Sequence, residues 1–153
     1  MMNREEMSKM ANMSTLLEEA LLNLVFHEES YTPPTSYYVA LFDFSTNEED
    51  LEAGAVTGSL ASAEVTEYDG NRKPLGLSSP TQVEGKATMM NESTIEFEEM
   101  PAVTVAYAAI VDEEDPANGG EILYWLELPE GSVEIAEGNI ARIPAGDLVV
   151  DLD

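Results

Sequence analysis

The apolar residues of this chain follow a helical period near the N-terminus and a period of two over most of the remaining length. Residues 15–26 carry one broad apolar stripe, made of Leu16, Leu17, Ala20, Leu21, Leu24 and Val25. This spacing predicts a short amphipathic helix, opened by a T-x-x-E capping box at Thr15 and Glu18. Because a helix of about three turns does not persist alone in water, its stripe needs a covering surface.

The period changes to two at residue 36. Tyr38, Ala40 and Phe42 alternate with Val39 and Leu41, so both faces of this segment are apolar. A strand that is apolar on both faces is typical of the middle of a layered fold. Residues 45–61 are acidic at first and then rich in small residues, which predicts a long loop.

Nine further strands are predicted over residues 63–68, 73–77, 83–90, 93–98, 103–111, 121–128, 132–135, 140–143 and 147–152. The strongest, residues 103–111, places Val103, Val105, Tyr107, Ala109 and Val111 on one face. Its other face is small and apolar, so it needs cover on both sides. The opposing sheet supplies one cover, and the helix or a neighbouring subunit supplies the other. Residues 112–120 predict the following turn, with Asn118-Gly119 as a hairpin signal.

Short strands at this spacing favour a mainly β fold, an antiparallel β-sandwich of jelly-roll-like form with one short N-terminal amphipathic helix. The length of 153 residues suits one domain. We therefore predict a flexible N-terminal arm over residues 1–14 and a single sandwich domain over residues 15–153.

The charge of the chain is far from balanced. Asp and Glu number 31 and Lys and Arg 6, which gives a formal net charge of −25. Such a charge strains a compact fold through self-repulsion in dilute buffer. The Debye length falls to about 3 Å in 1 M salt, which favours a halophilic protein that is stable at high ionic strength. With no basic stripe and no apolar run of about 18 residues, no nucleic-acid and no membrane partner is expected.

Candidate chemistry is sparse. The chain has no Cys and a single His, His27, and it lacks nucleophile and phosphate-binding motifs. We therefore predict neither an enzyme nor a cofactor. The acidic turn offers one candidate cation site through Asp112, Glu114 and Asp115, although a solvated hairpin explains the same residues.

Residues for subunit contacts can also be proposed. Trp125, Tyr124 and Tyr107 suit either the core or a sugar-binding platform. Arg72 and Arg142 are scarce cations that could pair with acids across a contact. The full set of interface candidates is Leu17, Leu21, Leu24, Tyr38, Phe42, Arg72, Ala106, Ala108, Trp125 and Arg142.

Several motifs recur in the order seen in small virion proteins of tailed viruses. They are LEEALLNLVFHEESYTPPTSYYVALFDF at 17–44, EYDGNRKPLGL at 67–77, ILYWLEL at 122–128 and IPAGDLVVDLD at 143–153. The chain resembles the members labelled tail-fibre or head-associated proteins. Together with the acidic composition, the resemblance implies a structural protein of a tailed virus of haloarchaea.

The expected function is therefore assembly. We predict a head-decoration or turret subunit that forms a symmetric oligomer with copies of itself and contacts other virion proteins. The alternative is a tail-fibre or fibre-base protein with a receptor- or carbohydrate-binding role, for which a host surface glycan is the candidate partner. The expected location is the virion, after assembly in the host cytoplasm.

Overall fold

The computed structural model describes residues 11–128 and 131–152, and it confirms a mainly β, antiparallel fold with one N-terminal helix. The strands are β1 (Asn12–Met13), β2 (Tyr38–Asp43), β3 (Glu64–Val65), β4 (Lys73–Pro74), β5 (Thr81–Val83), β6 (Lys86–Met90), β7 (Ile95–Phe97), β8 (Val103–Val111), β9 (Ile122–Glu127), β10 (Val133–Ile135), β11 (Ala141–Ile143) and β12 (Val149–Leu152). The helices are α1 (Thr15–Phe26), α2 (Glu48–Ala53) and α3 (Gly58–Ala63).

The strands form sheets of seven, three and two members. The large sheet runs in the order β1-β9-β8-β2-β3, with β10 on β8 and β4 on β2. The smaller sheets are β12-β6-β5 and β11-β7. One bond, from the N–H of Ala11 to the carbonyl of Val149, links the start of β1 to β12. The N-terminal strand therefore joins the large sheet to the three-stranded sheet.

The two faces of the large sheet belong to two separate hydrophobic clusters. One face packs with both small sheets in a cluster that includes Val39, Ile110, Phe97 and Val150. The other face packs against α2 and α3, where Phe42, Leu51 and Leu60 lie among the buried residues. The molecule is thus layered, with two short helices on one side of the large sheet and the small sheets on the other.

The elements that pack on the second face of β8 differ from two of the predictions. We predicted a long loop at 45–61 and a second cover from the N-terminal helix or another subunit, but α2 and α3 supply it. The Asn47 side chain caps α2 by accepting from the N–H of Glu49, and the helix ends at Gly54 with φ of 95°. Each helix has only six residues, which is too short to show a clear apolar period.

The predicted faces of β8 are wrong at its N-terminal end. Phe42 pairs with Tyr107 but Asp43 pairs with Val105, so Ala106 is an extra residue in β8. A bulge of this kind shifts the side-chain alternation by one residue. Val105 consequently lies in the cluster with the small sheets, whereas Tyr107 faces α2 and α3. A second irregularity, at the start of β9, separates Ile122 from Tyr124 in the same way.

Other boundaries also differ from the predictions, and the strands predicted at 63–68 and 73–77 shorten to Glu64–Val65 and Lys73–Pro74. Residues 83–90 are not one strand, because Glu84 and Gly85 turn with φ of 52° and 83° between β5 and β6. The acidic turn holds a 3-10 helix at Pro116–Asn118 in place of a two-residue hairpin loop.

Residues 1–10 of the predicted flexible arm lie outside the described part of the chain. Of the remaining arm residues, Asn12–Met13 form β1 and Ser14 is fully buried. Ser14 is also the N-cap of α1, since its hydroxyl accepts the N–H of Leu17 at 3.3 Å. The capping box predicted at Thr15 and Glu18 is therefore wrong, because Ser14 is the N-cap and the residue three positions later is Leu17, which has no polar side chain to complete a box.

Candidate functional site

The position of α1 is fixed at its first turn. The N–H of Ser14 donates to the carbonyl of Leu123 in β9. Leu16 lies against Gly54 so closely that a Cβ on this glycine would come within 2.8 Å of the leucine Cδ1. Leu17 packs against the core shared with the small sheets. The helix is therefore anchored at its N-terminal end to β9 and to the end of α2.

The C-terminal half of α1 has no comparable cover. No residue of the helix is buried. The exposed fractions are 58% for Leu22, 66% for Val25 and 73% for Phe26. At about 100° per residue Val25, Leu22 and Phe26 lie roughly 80°, 140° and 180° around the helix from Leu17, within about one third of the circumference. We call them the outward face of α1.

Several predicted interface residues are buried inside the chain itself. Phe42, Ala106, Ala108 and Trp125 belong to the core and leave little side chain for a partner, with Trp125 the most exposed of them at 7%. Tyr38, Leu17 and Leu21 are half-buried, and Leu24 is 43% exposed. Leu22 and Phe26, which are more exposed than these, were not among the predicted interface residues, although residues 20–26 read ALLNLVF and so are apolar around most of the helix.

Both arginines proposed to bridge subunits instead pair within the chain. Arg72 binds the Glu64 carboxylate through two bonds, from Nε at 2.8 Å and from Nη2 at 2.6 Å. Its Nη1 donates to the carbonyls of Glu113 and Gly119. Arg142 pairs with Glu96 at 2.7 Å on the surface. Arg72 thus connects β3 to the acidic turn through buried hydrogen bonds.

The carboxylates of the acidic turn accept hydrogen bonds from backbone N–H groups of the same turn and so stabilise it. Asp115 Oδ1 accepts the N–H of Ala117, and Asp112 Oδ1 accepts the N–H of Glu121. Glu113 accepts the N–H of Asp115. Within residues 11–128 and 131–152, no group of three His, Cys, Asp or Glu side chains is placed to hold a metal ion. The candidate cation residues Asp112, Glu114 and Asp115 therefore gain no support.

A shallow groove of about 470 Å³ runs beside this turn. Its walls are Thr32, Pro34, Thr35, Ser36, Tyr38, Asp112, Glu113 and Glu114.

The aromatic residues considered as a sugar-binding platform lie outside this groove. Trp125 donates from Nε1 to Glu52 at 2.7 Å, and Tyr107 donates its hydroxyl to Glu48 at 2.8 Å. These side chains fasten α2 to the sheet, and glycan binding stays a prediction.

Residues 12–151 match the model of the podophage GP4 fiber I protein gp80 family. The match spans nearly the whole described fold, from β1 to β12. The chain belongs to this fibre I family. No curated protein matches the sequence.

Membership of the fibre I family gives the protein a structural role in a virion and supports the general resemblance found in the sequence. The family favours the tail-fibre alternative over the head-decoration prediction. The haloarchaeal source stays a prediction. In the described portion of this fibre protein, no helix is long and apolar enough to cross a membrane.

Three tyrosines of the fibre protein predict its behaviour at high pH. Burial raises the pKa of Tyr124 to about 12, and the Asp151 and Glu18 charges add to the shift. Burial, with the bond to Glu48, raises the pKa of Tyr107 to about 12. Burial also raises the pKa of Tyr68, whose hydroxyl has no hydrogen-bond partner among the described residues. In each case the folded state favours the neutral phenol.

We therefore expect alkaline destabilisation. The tyrosines of the unfolded chain lose protons above about pH 10 while the buried ones stay protonated, so the free energy of unfolding falls from pH 10 to 12, with a limiting slope of about 1.4 kcal/mol per pH unit for each such tyrosine. Urea unfolding at several pH values measures this slope. Tyr124→Phe and Tyr68→Phe should each reduce it, and an unchanged slope in both variants would contradict the expectation.

Proposed function

We propose that this protein is a non-enzymatic structural subunit of a tailed-virus fibre. The observation that carries the proposal is the family match over residues 12–151. The contacts of the polar residues support it, because the side chains that make several hydrogen bonds use them within the chain, where they stabilise the fold. Arg72 and Glu64 bind each other, and Asp112, Glu113 and Asp115 cap the acidic turn. The single histidine, His27, is exposed, and its Nδ1 lies 3.2 Å from the Asn23 side-chain oxygen.

The fold suits a compact module of a fibre rather than a shaft. Apolar surface is buried on both faces of the large sheet, and the acidic side chains remain mostly at the surface. We propose that the subunit contacts copies of itself and other virion proteins through exposed apolar surface. High salt would favour these contacts, because screening reduces the repulsion between chains with a net charge of −25.

Labelling of intact virions tests the proposal. Purified particles are incubated with gold-conjugated antibodies raised against the recombinant protein, and label positions are counted by electron microscopy. We expect label on the fibres and peptides of the chain in the particle proteome. Antibodies against the major capsid protein serve as the control for head labelling. Label over the capsid would restore the head-decoration hypothesis, and absence of the chain from purified particles would remove the virion role altogether.

A further inference from the structure

We propose that Asn118 is the asparagine of this chain most disposed to spontaneous deamidation, and that the bonds of Arg72 to the acidic turn keep this reaction slow while the protein is folded. Asn118 is the one asparagine in the sequence that is followed by glycine. Glycine has no Cβ to shield its backbone nitrogen, and it adopts more backbone conformations than any other residue. An Asn-Gly pair is therefore the sequence in which the two reacting groups meet most easily.

The reaction joins two groups of neighbouring residues, so it needs only the right orientation and water. The backbone nitrogen of Gly119 gives up its proton to water and attacks Cγ of Asn118. The new N–Cγ bond closes a cyclic imide as the Cγ–Nδ2 bond breaks, and the departing nitrogen takes a proton from water and leaves as ammonia. Water then opens the imide at either carbonyl, which gives aspartate or a β-linked isoaspartate.

The fold leaves the Asn118 side chain exposed but restrains the nitrogen that must attack it. Gly119 follows the 3-10 helix Pro116–Asn118 with a φ of 73°. Its N–H donates to the carbonyl of Pro116 at 3.1 Å. The nitrogen must leave this bond before it can lose its proton and turn towards Cγ.

Arg72 restrains the same glycine from its other side. Its Nη1 donates to the Gly119 carbonyl at 2.7 Å and to the Glu113 carbonyl at 2.9 Å. The Arg72 side chain is 0% exposed and is paired with Glu64, so it cannot follow a movement of the turn. Gly119 also lies against the carbonyl of Val56, since a Cβ on the glycine would come within 2.9 Å of that oxygen. Ring closure requires the peptide unit before Gly119 to rotate, and this rotation strains the contacts on both sides of the residue.

The product would in turn disturb the site. An isoaspartate adds one backbone carbon immediately before Gly119, which displaces the glycine carbonyl from Arg72 Nη1. Its free carboxylate adds charge to a turn that already contains Asp112, Glu113 and Asp115. A fibre subunit cannot be replaced once the particle has left its host, so the rate of this reaction would limit how long the subunit stays intact. That consequence rests on the proposed function, whereas the chemistry at Asn118 does not.

Incubation of the full chain at mildly alkaline pH in concentrated NaCl, with and without urea, tests the proposal. Glutamate-specific digestion releases residues 115–121, and mass spectrometry measures the fraction in which the amide has become an acid. In urea we expect Asn118 to react before the other asparagines. In the folded chain we expect its rate to be lower by about tenfold or more, because a hydrogen bond to a charged donor must first open. Equal rates in the two states, or a faster reaction of another asparagine in urea, would overturn the proposal.

Substitutions separate the restraint by Arg72 from the stability of the whole fold. Arg72→Met should raise the rate at Asn118 without urea roughly tenfold to a hundredfold. Asn91→Asp is the matched control, because it disrupts buried hydrogen bonds to Ser93 and Pro144 and leaves the bonds of Arg72 in place. Its rate at Asn118 should stay that of the unchanged protein.

Arg72→Lys is the second variant if Arg72→Met does not fold. Lysine keeps a counterion for Glu64, but its single ammonium lacks the planar fork that reaches the carboxylate and both carbonyls, so we expect a smaller rise in rate. An unchanged rate in the folded variants at position 72 would overturn the role of Arg72. Equal acceleration in Arg72→Met and Asn91→Asp would do the same, because global unfolding would then explain the reaction. All these measurements use purified protein, so their outcome is separate from that of virion labelling.

Discussion

Replacing Arg72 with methionine should lower the free energy of unfolding by about 3–5 kcal/mol, because it leaves a buried carboxylate without its counterion. The Glu64 side chain is 1% exposed and the Arg72 side chain is 0% exposed. The substitution also removes the donors to the carbonyls of Glu113 and Gly119, and methionine offers none in their place. The hydrogen bonds that connect β3 to the acidic turn would therefore be lost.

Urea titrations followed by tryptophan fluorescence measure this effect, because Trp125 is the single tryptophan and is buried. Arg142→Met is the matched control. Its Nη2 lies 2.7 Å from Glu96 Oε2, close to the 2.6 Å of the buried pair, but the two side chains are 56% and 40% exposed, and an exposed pair contributes about 0–1 kcal/mol.

A double replacement separates the ion pair from the packing. Arg72→Met combined with Glu64→Leu removes both charges, so it should cost clearly less than the sum of the two single changes. Additive costs would show that the pair itself contributes nothing and that Arg72 acts only through its bonds to the turn. A loss below about 1 kcal/mol for Arg72→Met would contradict the buried geometry.

Elements with a long, regular pattern could be predicted from the sequence. The bounds of α1 and β8 agree with the pattern, and the hairpin of β8 and β9 follows from the polar turn between them. Periodicity is informative there because nine or twelve residues sample several turns of the pattern.

The two helices in residues 45–61 could not be predicted from periodicity. The acids of α2 are exposed or half-buried, and the large apolar residues that this segment buries on the sheet are Leu51, Val56 and Leu60, so the apolar signal is only a few residues long. The local cues were nevertheless present. Asn47 is a favourable N-cap, acids fill the first turn of α2, and Gly54 terminates it.

The faces of β8 and the partner of Arg72 depend on long-range geometry. The bulge at Ala106 appears only when β8 is paired with β2, and nothing in the run from Val103 to Val111 marks it. Arg72 and Glu64 are eight residues apart, but β3 and the turn at 113–119 create the buried site they share. A scarce cation predicts an ion pair, and the fold decides whether that pair lies inside the chain or between chains.

The side of α1 that docks on the chain could not be predicted from the helix alone. The sequence shows that residues 20–26 are apolar around most of the helix. It could not show which side docks on the chain, because that depends on the bond from Ser14 to Leu123 and on the contact of Leu16 with Gly54. Once that side is fixed, Leu22, Val25 and Phe26 lie on the exposed side of α1.

The second large effect is expected at Asn91, where Asn91→Asp should lower the free energy of unfolding by about 3–5 kcal/mol at neutral pH. Asn91 is 2% exposed. Its amide nitrogen donates to the carbonyls of Ser93 and Pro144, and its Oδ1 accepts from Gly146 and Leu148. The side chain thereby ties the end of β6 to the turn that leads into β12.

An aspartate of the same shape keeps the two acceptor bonds and turns the two donor bonds into repulsion between a carboxylate and carbonyl oxygens. Protonation restores a donor, so the folded state should raise the pKa of the introduced carboxyl above its ordinary value of about 3.9. The penalty is then largest at neutral pH and shrinks as the pH falls towards 4. Unfolding of variant and unchanged protein at matched pH measures it, with Asn139→Asp on the surface as the control. A difference that does not shrink on acidification would show that lost packing, rather than charge, sets the cost.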